Sequence, residues 1–379
     1  RLPISFTHGE GVWLHDEDGC KYLDLLAGIA VDSLGHAHPR LVEAIATQAG
    51  KLIHVSNNFH IPVQERLAER ITRLSGMSQV FFANSGAEAN EAAIKLARLY
   101  GHKKGIETPR IAVMEKAFHG RTLATLWAGG NTKIQTGFEP PVDGFVRVPF
   151  GDVDALESKL RDDGSIVAVL LEIVQGEGGV NLIAFEKLRQ IERLCDERQC
   201  LFMLDEVQTG IGRTGRHFAF QHAGVSPDVM VLAKGLGGGV PIGACVTAGR
   251  ANGVFGVGTH GSTFGGNPLV CAAAEAVLDV IETENLSANA QAVGAYLVDQ
   301  LRTRLDHSGV RDVRGLGLLI GIELDRPCAE LVKLSLDAGL LLSVTAERVV
   351  RLVPPLIMTK DEADQAVARL VPVIKAFLG

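Results

Sequence analysis

A short apolar run, Cys200-Leu201-Phe202-Met203-Leu204, ends in Asp205-Glu206-Val207-Gln208, and 29 residues after Asp205 a second run, Val229-Met230-Val231-Leu232-Ala233, ends in Lys234. Four of the five residues after Lys234 are glycine. Continuous apolar runs of this length suit strands buried on both faces of a parallel sheet, whose carboxyl ends are where ligands bind. An acid and a lysine brought to one rim suit one particular chemistry. The lysine holds an aldehyde as a Schiff base and the acid keeps a pyridine nitrogen protonated, as pyridoxal 5'-phosphate requires. Taken singly, Lys234 reads as a surface lysine, and Asp205-Glu206 as a helix N-cap with its first-turn acid. Their pairing favours the chemical reading, in which Val207 packs on the ring and Gln208 bonds its hydroxyl.

Two further segments fit the same ligand. Asn84-Ser85-Gly86-Ala87-Glu88-Ala89-Asn90 follows a short apolar run and opens an alanine-rich helix. Ser85 is a good N-cap in any case, and the free N–H groups and positive dipole end of such a helix also suit a phosphate. Phe118-His119-Gly120-Arg121 follows another strand-like run. Phe118 is either core or a ring-stacking platform, and Arg121 can grip a carboxylate through two parallel hydrogen bonds. His119 has no metal-ligand companions at useful spacing, so no metal is expected. The glycines after Lys234 do not form a G-x-G-x-x-G after a first strand, and no Gly-Lys-Ser/Thr P-loop occurs, which argues against a nucleotide site.

The bulk properties agree with an enzyme of ordinary composition. At 379 residues two or more domains are expected, and 46% hydrophobic with 21% charged residues describes a soluble globular chain. A net charge of −7 without a basic tract argues against nucleic-acid binding. The six cysteines form no Cys-x-x-Cys pair, and several lie in apolar runs, which reads as buried reduced thiols of a cytoplasmic protein. Neither a signal peptide nor a membrane-spanning run is visible.

Periodicity supplies the positioning elements. Strands are expected at 79–83, 110–114, 145–149, 166–171, 200–204, 229–233 and 242–247, interleaved with helices at 63–74, 86–101 and 186–198. This alternation predicts an α/β fold with a mainly parallel seven-stranded sheet covered on both faces. Short strands at 11–14 and 21–26 and a helix at 39–50 precede it. A helix at 268–283 leads into a smaller α+β part with helices at 289–306, 327–338 and 360–378 and strands near 317–323 and 349–353. The expected divisions are 1–55, a segment packing with the small domain; 56–265, the large cofactor-binding domain; and 266–379, the linking helix and small domain.

Six ordered motifs, SGAEANE, FHGRT, QGEGG, LDEVQTG, AKGLGGG and STFGGNP, resemble those of the class III (ornithine-type) aminotransferases of fold type I, and the likeness runs from Gly11 to Pro355. The resemblance implies an enzyme that uses pyridoxal 5'-phosphate, covalently held by Lys234, with Asp205 at the pyridine nitrogen and Gln208 at the ring oxygen. Phe118 would stack on the ring, with His119 and Val207 beside it, and Ser85, Gly86 and Ala87 would bind the phosphate. Thr263 would reach the phosphate of a neighbouring subunit, implying a homodimer with shared sites. Arg351 would take the α-carboxylate of glutamate, with Glu177 pairing it when that group is absent, and Arg121 and Ser262 would also meet substrate.

Family members acting on ornithine carry a tyrosine where this chain has Ile29, so an acylated or absent α-amino group is favoured. N-acetylornithine, a substrate of arginine biosynthesis, is the first expectation. N-succinylornithine, ornithine and 4-aminobutyrate, or an aminomutase reaction, are the alternatives. The chain departs from the commonest pattern at Glu172-Ile173, Asp32-Ser33 and His60, and Asp32 and His60 bear on the acyl preference.

Overall fold

The computed structural model describes residues 2–379. Its centre is a seven-stranded sheet made of β1 (Gln79–Ala83), β2 (Arg110–Met114), β3 (Phe145–Val148), β4 (Ile166–Leu171), β5 (Leu201–Asp205), β6 (Val229–Leu232) and β7 (Gly243–Thr247). Each strand lies within one residue of its expected span. The order across the sheet is β1-β7-β6-β5-β4-β2-β3. Only β7 runs against its neighbours β6 and β1; the other pairings are parallel. Ten residues separate β6 from β7, fewer than a parallel crossover needs.

Every residue of β4, β5 and β6 is buried. Alternate side chains enter opposite layers. Phe202 and Leu204 join one core cluster with Val169, Leu171, Met230 and Leu232. Leu201 and Met203 join the other with Ala168, Leu170, Val229 and Val231. The helix Gly86–Lys103 covers this second face with Ala89, Ala93, Leu96 and Ala97, while Phe185–Arg198 covers the first with Leu188, Ile191 and Cys195. Burial on both faces is why these strands read as unbroken apolar runs.

A second sheet, of four antiparallel strands, contains Val310–Leu316, Leu319–Leu324, Val349–Leu352 and Ser343–Thr345, in that spatial order. The first of these departs from expectation, since Arg311, Asp312 and Arg314 hide its strand character on a largely solvent-facing edge. The helix Val153–Asp162, capped by Asp152 Oδ1 on Ala155 N at 2.9 Å, also goes beyond the expected set. The helices expected at 289–306 and 327–338 span Leu286–Arg304 and Leu331–Asp337.

At the N-terminus the expected strand at 11–14 is displaced. Gly11 turns with φ +58°, between the strands Phe6–Glu10 and Trp13–Asp16. Lys21–Asp24 follows and pairs in parallel with Leu340–Leu341, tying the two ends of the chain together.

Close packing fixes the rim where β1 and β7 meet. A Cβ on Gly243 would stand 2.4 Å from the Ser85 carbonyl oxygen, a backbone atom with little freedom to yield. Gly243→Ala is expected to destabilise the protein by about 1–3 kcal/mol through overpacking. The urea unfolding midpoint reads this loss, and an unchanged midpoint refutes the tight contact.

Candidate active site

The carboxyl ends of the parallel strands share one rim, and the loops leaving them line a cavity of about 390 Å³. Asp205, the last residue of β5, is 4% exposed. Its charge is met from three places. His119 Nδ1 donates to Oδ2 at 2.7 Å, Asn90 Nδ2 donates to Oδ2 at 2.8 Å, and Val207 N donates to Oδ1 at 3.0 Å. Burial works against a charged His119, yet the hydrogen bond and charge of Asp205, with Glu172 adding, raise its pKa above the usual imidazole value.

Lys234 stands two residues past β6, at the start of a short 3₁₀ turn, Lys234–Leu236. Its φ of +45° is left-handed, a conformation that a non-glycine residue adopts at a cost of about 1–3 kcal/mol. Its side chain lines the cavity. Burial, reinforced by the Arg351 charge and opposed by Glu177, Asp205 and Glu172, lowers the amine pKa to about 8. A substantial share of this lysine is therefore neutral and nucleophilic near physiological pH.

The first turn of the helix Gly86–Lys103 forms another wall. Ser85 Oγ accepts from Glu88 N at 3.2 Å, and the N–H groups of Gly86 and Ala87 belong to the turn that has no intrahelical acceptors. A Cβ on Gly86 would lie 2.9 Å from a Val207 methyl, so glycine is required for this approach. Phe118 presents its ring to the cavity, with the Arg121 guanidinium 5.7 Å over it. Phe118 N donates to Glu172 Oε1 at 2.9 Å, and burial first, then the Asp205 charge, raises Glu172 to about 7.

Arg351, in the strand Val349–Leu352, is 2% exposed. Its Nη1 donates to Glu177 Oε1 at 2.5 Å and to Gln208 Oε1 at 3.3 Å, and its Nε donates to Ser343 Oγ at 3.1 Å. Thr345 Oγ1 donates to the Glu177 carbonyl, holding that loop against the second sheet.

Several residues read from the sequence as site candidates do not line this cavity; Arg351 meets it only through Glu177 and Gln208. Ile29 is 40% exposed, with a left-handed φ of +70°. Ser262 and Thr263 line a separate hollow of about 350 Å³ beside Asn84. His60 is also remote from the cavity lining and pairs with Glu65 at 2.7 Å on the surface. Conversely, Asn90 and Glu172 emerge as members of the site. The signal for Asn90 was a polar residue four positions after Gly86, on the inner side of an alanine-rich helix. Glu206, beside Asp205, has a structural task, accepting from Ala219 N and Phe220 N at 2.9 and 2.8 Å.

The donor set fits pyridoxal 5'-phosphate. The buried Asp205 carboxylate would face a pyridinium, the Lys234 amine an aldehyde and the helix N-terminus a phosphate, and Phe118 and Val207 would offer the ring two apolar walls. No group of residues about this cavity has the ligand geometry of a metal centre; among the described residues the one such cluster is Asp24, Asp32 and His36.

Comparison with known proteins agrees. The model of the aminotransferase class-III family matches residues 1–374. An acetylornithine aminotransferase from Nitrosomonas europaea is 56% identical over 379 residues, covering all of this chain and 96% of the relative. One from Agrobacterium fabrum is 50% identical, covering 98% and 93%. Among solved structures, ornithine aminotransferase from Toxoplasma gondii superposes with a TM-score of 0.96 at 35% identity, covering 100% and 91%. Acetylornithine aminotransferase from Elizabethkingia anophelis gives 0.89 at 36% identity, covering 100% and 95%.

The amine at Lys234 gains its neutral form as pH rises through about 8. Covalent capture of pyridoxal phosphate by the apoprotein, followed by absorbance, is expected to accelerate across that value and level above it. A rate independent of pH there, or a borohydride-fixed pyridoxyl group on a peptide lacking Lys234, removes the lysine from this role.

Proposed function

Because the chain belongs to the class III aminotransferases, we propose that it transfers the δ-amino group of N2-acetyl-L-ornithine to 2-oxoglutarate. The products are N-acetyl-L-glutamate 5-semialdehyde and L-glutamate, which assigns the enzyme to arginine biosynthesis. Bound pyridoxal 5'-phosphate supplies an aldehyde that accepts the amino group and a ring that withdraws electrons from the reacting carbon. Asp205, with its three donors, keeps the ring nitrogen protonated. Lys234 Nζ would take the proton from the substrate Cδ and deliver it to the C4′ carbon of the cofactor, acting as base and then acid. Phe118 and Val207 exclude water from the two ring faces, and Arg121 orients a substrate carboxylate.

The observation that carries the reading is the ion pair of buried Arg351 with half-buried Glu177. A substrate presenting its δ-amino end brings no carboxylate next to the reacting carbon, so Glu177 neutralises the guanidinium. 2-Oxoglutarate brings its own α-carboxylate, and Glu177 must leave. Side-chain exposure of 34% for Glu177 against 3% for Arg351 supports the acid as the movable partner. An uncompensated buried guanidinium is costly, so each half-reaction has its own counter-charge. Full-length identity to acetylornithine enzymes, with Ile29 in place of a tyrosine, supports the acetylated substrate over ornithine.

Two copies completing each other's sites fit the surface. Phe59, Ile53 and Phe264 are 66%, 55% and 60% exposed, and Phe264 adjoins Thr263. Such apolar exposure favours a self-association face. Buried, unpaired cysteines at five of six positions support a cytoplasmic setting. Among the described residues no helix is long and apolar enough to cross a membrane.

Arg351→Ala is expected to slow the 2-oxoglutarate half-reaction on the order of a hundredfold while sparing the acetylornithine half-reaction. Single-turnover absorbance of each half separates the two, and equal losses refute the switch. Measured side by side, kcat/KM is expected to be highest for N-acetylornithine among acetylornithine, succinylornithine, ornithine and 4-aminobutyrate. A preference for either unacylated amine overturns the assignment. Sedimentation is expected to give a dimer that Phe264→Asp dissociates with loss of activity; a fully active monomer contradicts shared sites.

A further inference from the structure

The segment Ala30–Ser33 runs beside Lys234. A Cβ on Gly235 would meet Ser33 Oγ at 2.5 Å, and Val31 lines the cavity. The adjoining Asp32 is half-buried, and among the described residues its carboxylate accepts no hydrogen bond and makes no ion pair. It lies between two glycines: a Cβ on Gly28 would come within 2.8 Å of Oδ2 and one on Gly239 within 3.2 Å of Oδ1. Gly239 lines the cavity as well, so the carboxylate stands directly behind that wall.

The backbone holds it there. Val31 N and Asp32 N both donate to Ala27 O, at 2.7 and 2.9 Å, and Gly35 N donates to Asp32 O at 3.0 Å. The neighbouring charges are Asp24 and His36, whose side chains pair at 2.8 Å, and ligand atoms of all three residues lie within 4.8 Å of one another. Two carboxylates face one imidazole, so a protonated His36 offsets only one of them. The buried Arg213 guanidinium bears on Asp24, the acid that His36 already pairs, and among the described residues it leaves Asp32 without a cationic partner of its own.

We propose that Asp32 is a charge filter for the acyl end of the first substrate, disfavouring an anionic acyl group and admitting a neutral one. The inference rests on the acylornithine reading above and decides between its two acylated candidates. N-acetylornithine carries a neutral acetamide, whereas N-succinylornithine carries one additional carboxylate. A fixed negative charge behind a partly desolvated wall raises the cost of bringing that carboxylate in, and acts less on the acetyl group.

The test uses the holoenzyme and three substrates: N-acetylornithine, N-succinylornithine, and the succinyl compound with its terminal carboxylate converted to a carboxamide. The last two match in size and differ in charge. The wild type is expected to favour the carboxamide over the succinyl compound in kcat/KM by roughly tenfold. Asp32→Asn is expected to bring that ratio close to one while leaving kcat/KM for the carboxamide near the wild-type value. A merely structural role for Asp32 lowers all three substrates together, and that outcome overturns the filter. So does a wild type that treats the matched pair alike, a result that needs no variant to fold. Turnover of N-acetylornithine by the wild type is read first: its absence removes the proposed reaction itself, whereas its presence with an unchanged ratio removes only the filter.

Discussion

A carboxylate buried at the end of a sheet strand keeps its charge only when hydrogen-bond donors replace the water it has lost. At Asp205 those donors come from the loop after β2, from the helix that follows β1, and from its own loop. The carboxylate therefore depends on the order of the sheet, which brings three distant segments to one rim. Removing a donor would leave charge uncompensated in the interior, so the site and the fold are stabilised by the same contacts.

Lys234 has the opposite requirement. Its usefulness lies in being neutral, and burial with the nearby Arg351 charge supplies that condition against the pull of three acids. Its left-handed backbone and the glycines after it let the chain turn sharply where β6 ends. An acid met by three hydrogen-bond donors and an amine held partly neutral thus share one cavity, each set by its local surroundings rather than by residue type.

The second sheet extends this electrostatic arrangement. Arg351 enters from Val349–Leu352, and Glu177 from the loop after β4, so their ion pair joins two separate sheets. Thr345, on the strand next to Arg351, holds the Glu177 backbone. The acid can then exchange its side-chain partner while its main chain stays in place. This is the physical basis of the proposed switch between two substrates.

Much of the fold was legible because burial on both faces writes a strand as an uninterrupted apolar run, as in Val229-Met230-Val231-Leu232. Val310–Leu316 was not, since its solvent-facing side carries charges and the apolar signal is halved. Lys234 and Asp205 were legible from residue type at strand ends. Asn90 and Glu172 were not, because their importance comes from what lies opposite them. The amino-acid sequence alone determined which segments become strands and helices and which side chains have the chemistry to act, because periodicity and residue type are local properties. Only the tertiary structure decided that Arg351 meets Glu177 across 174 residues, that three donors converge on Asp205, and that Asp32 stands behind the cavity wall without a partner. Those contacts follow from sheet order and loop packing, which bring together residues whose local sequences carry no record of each other.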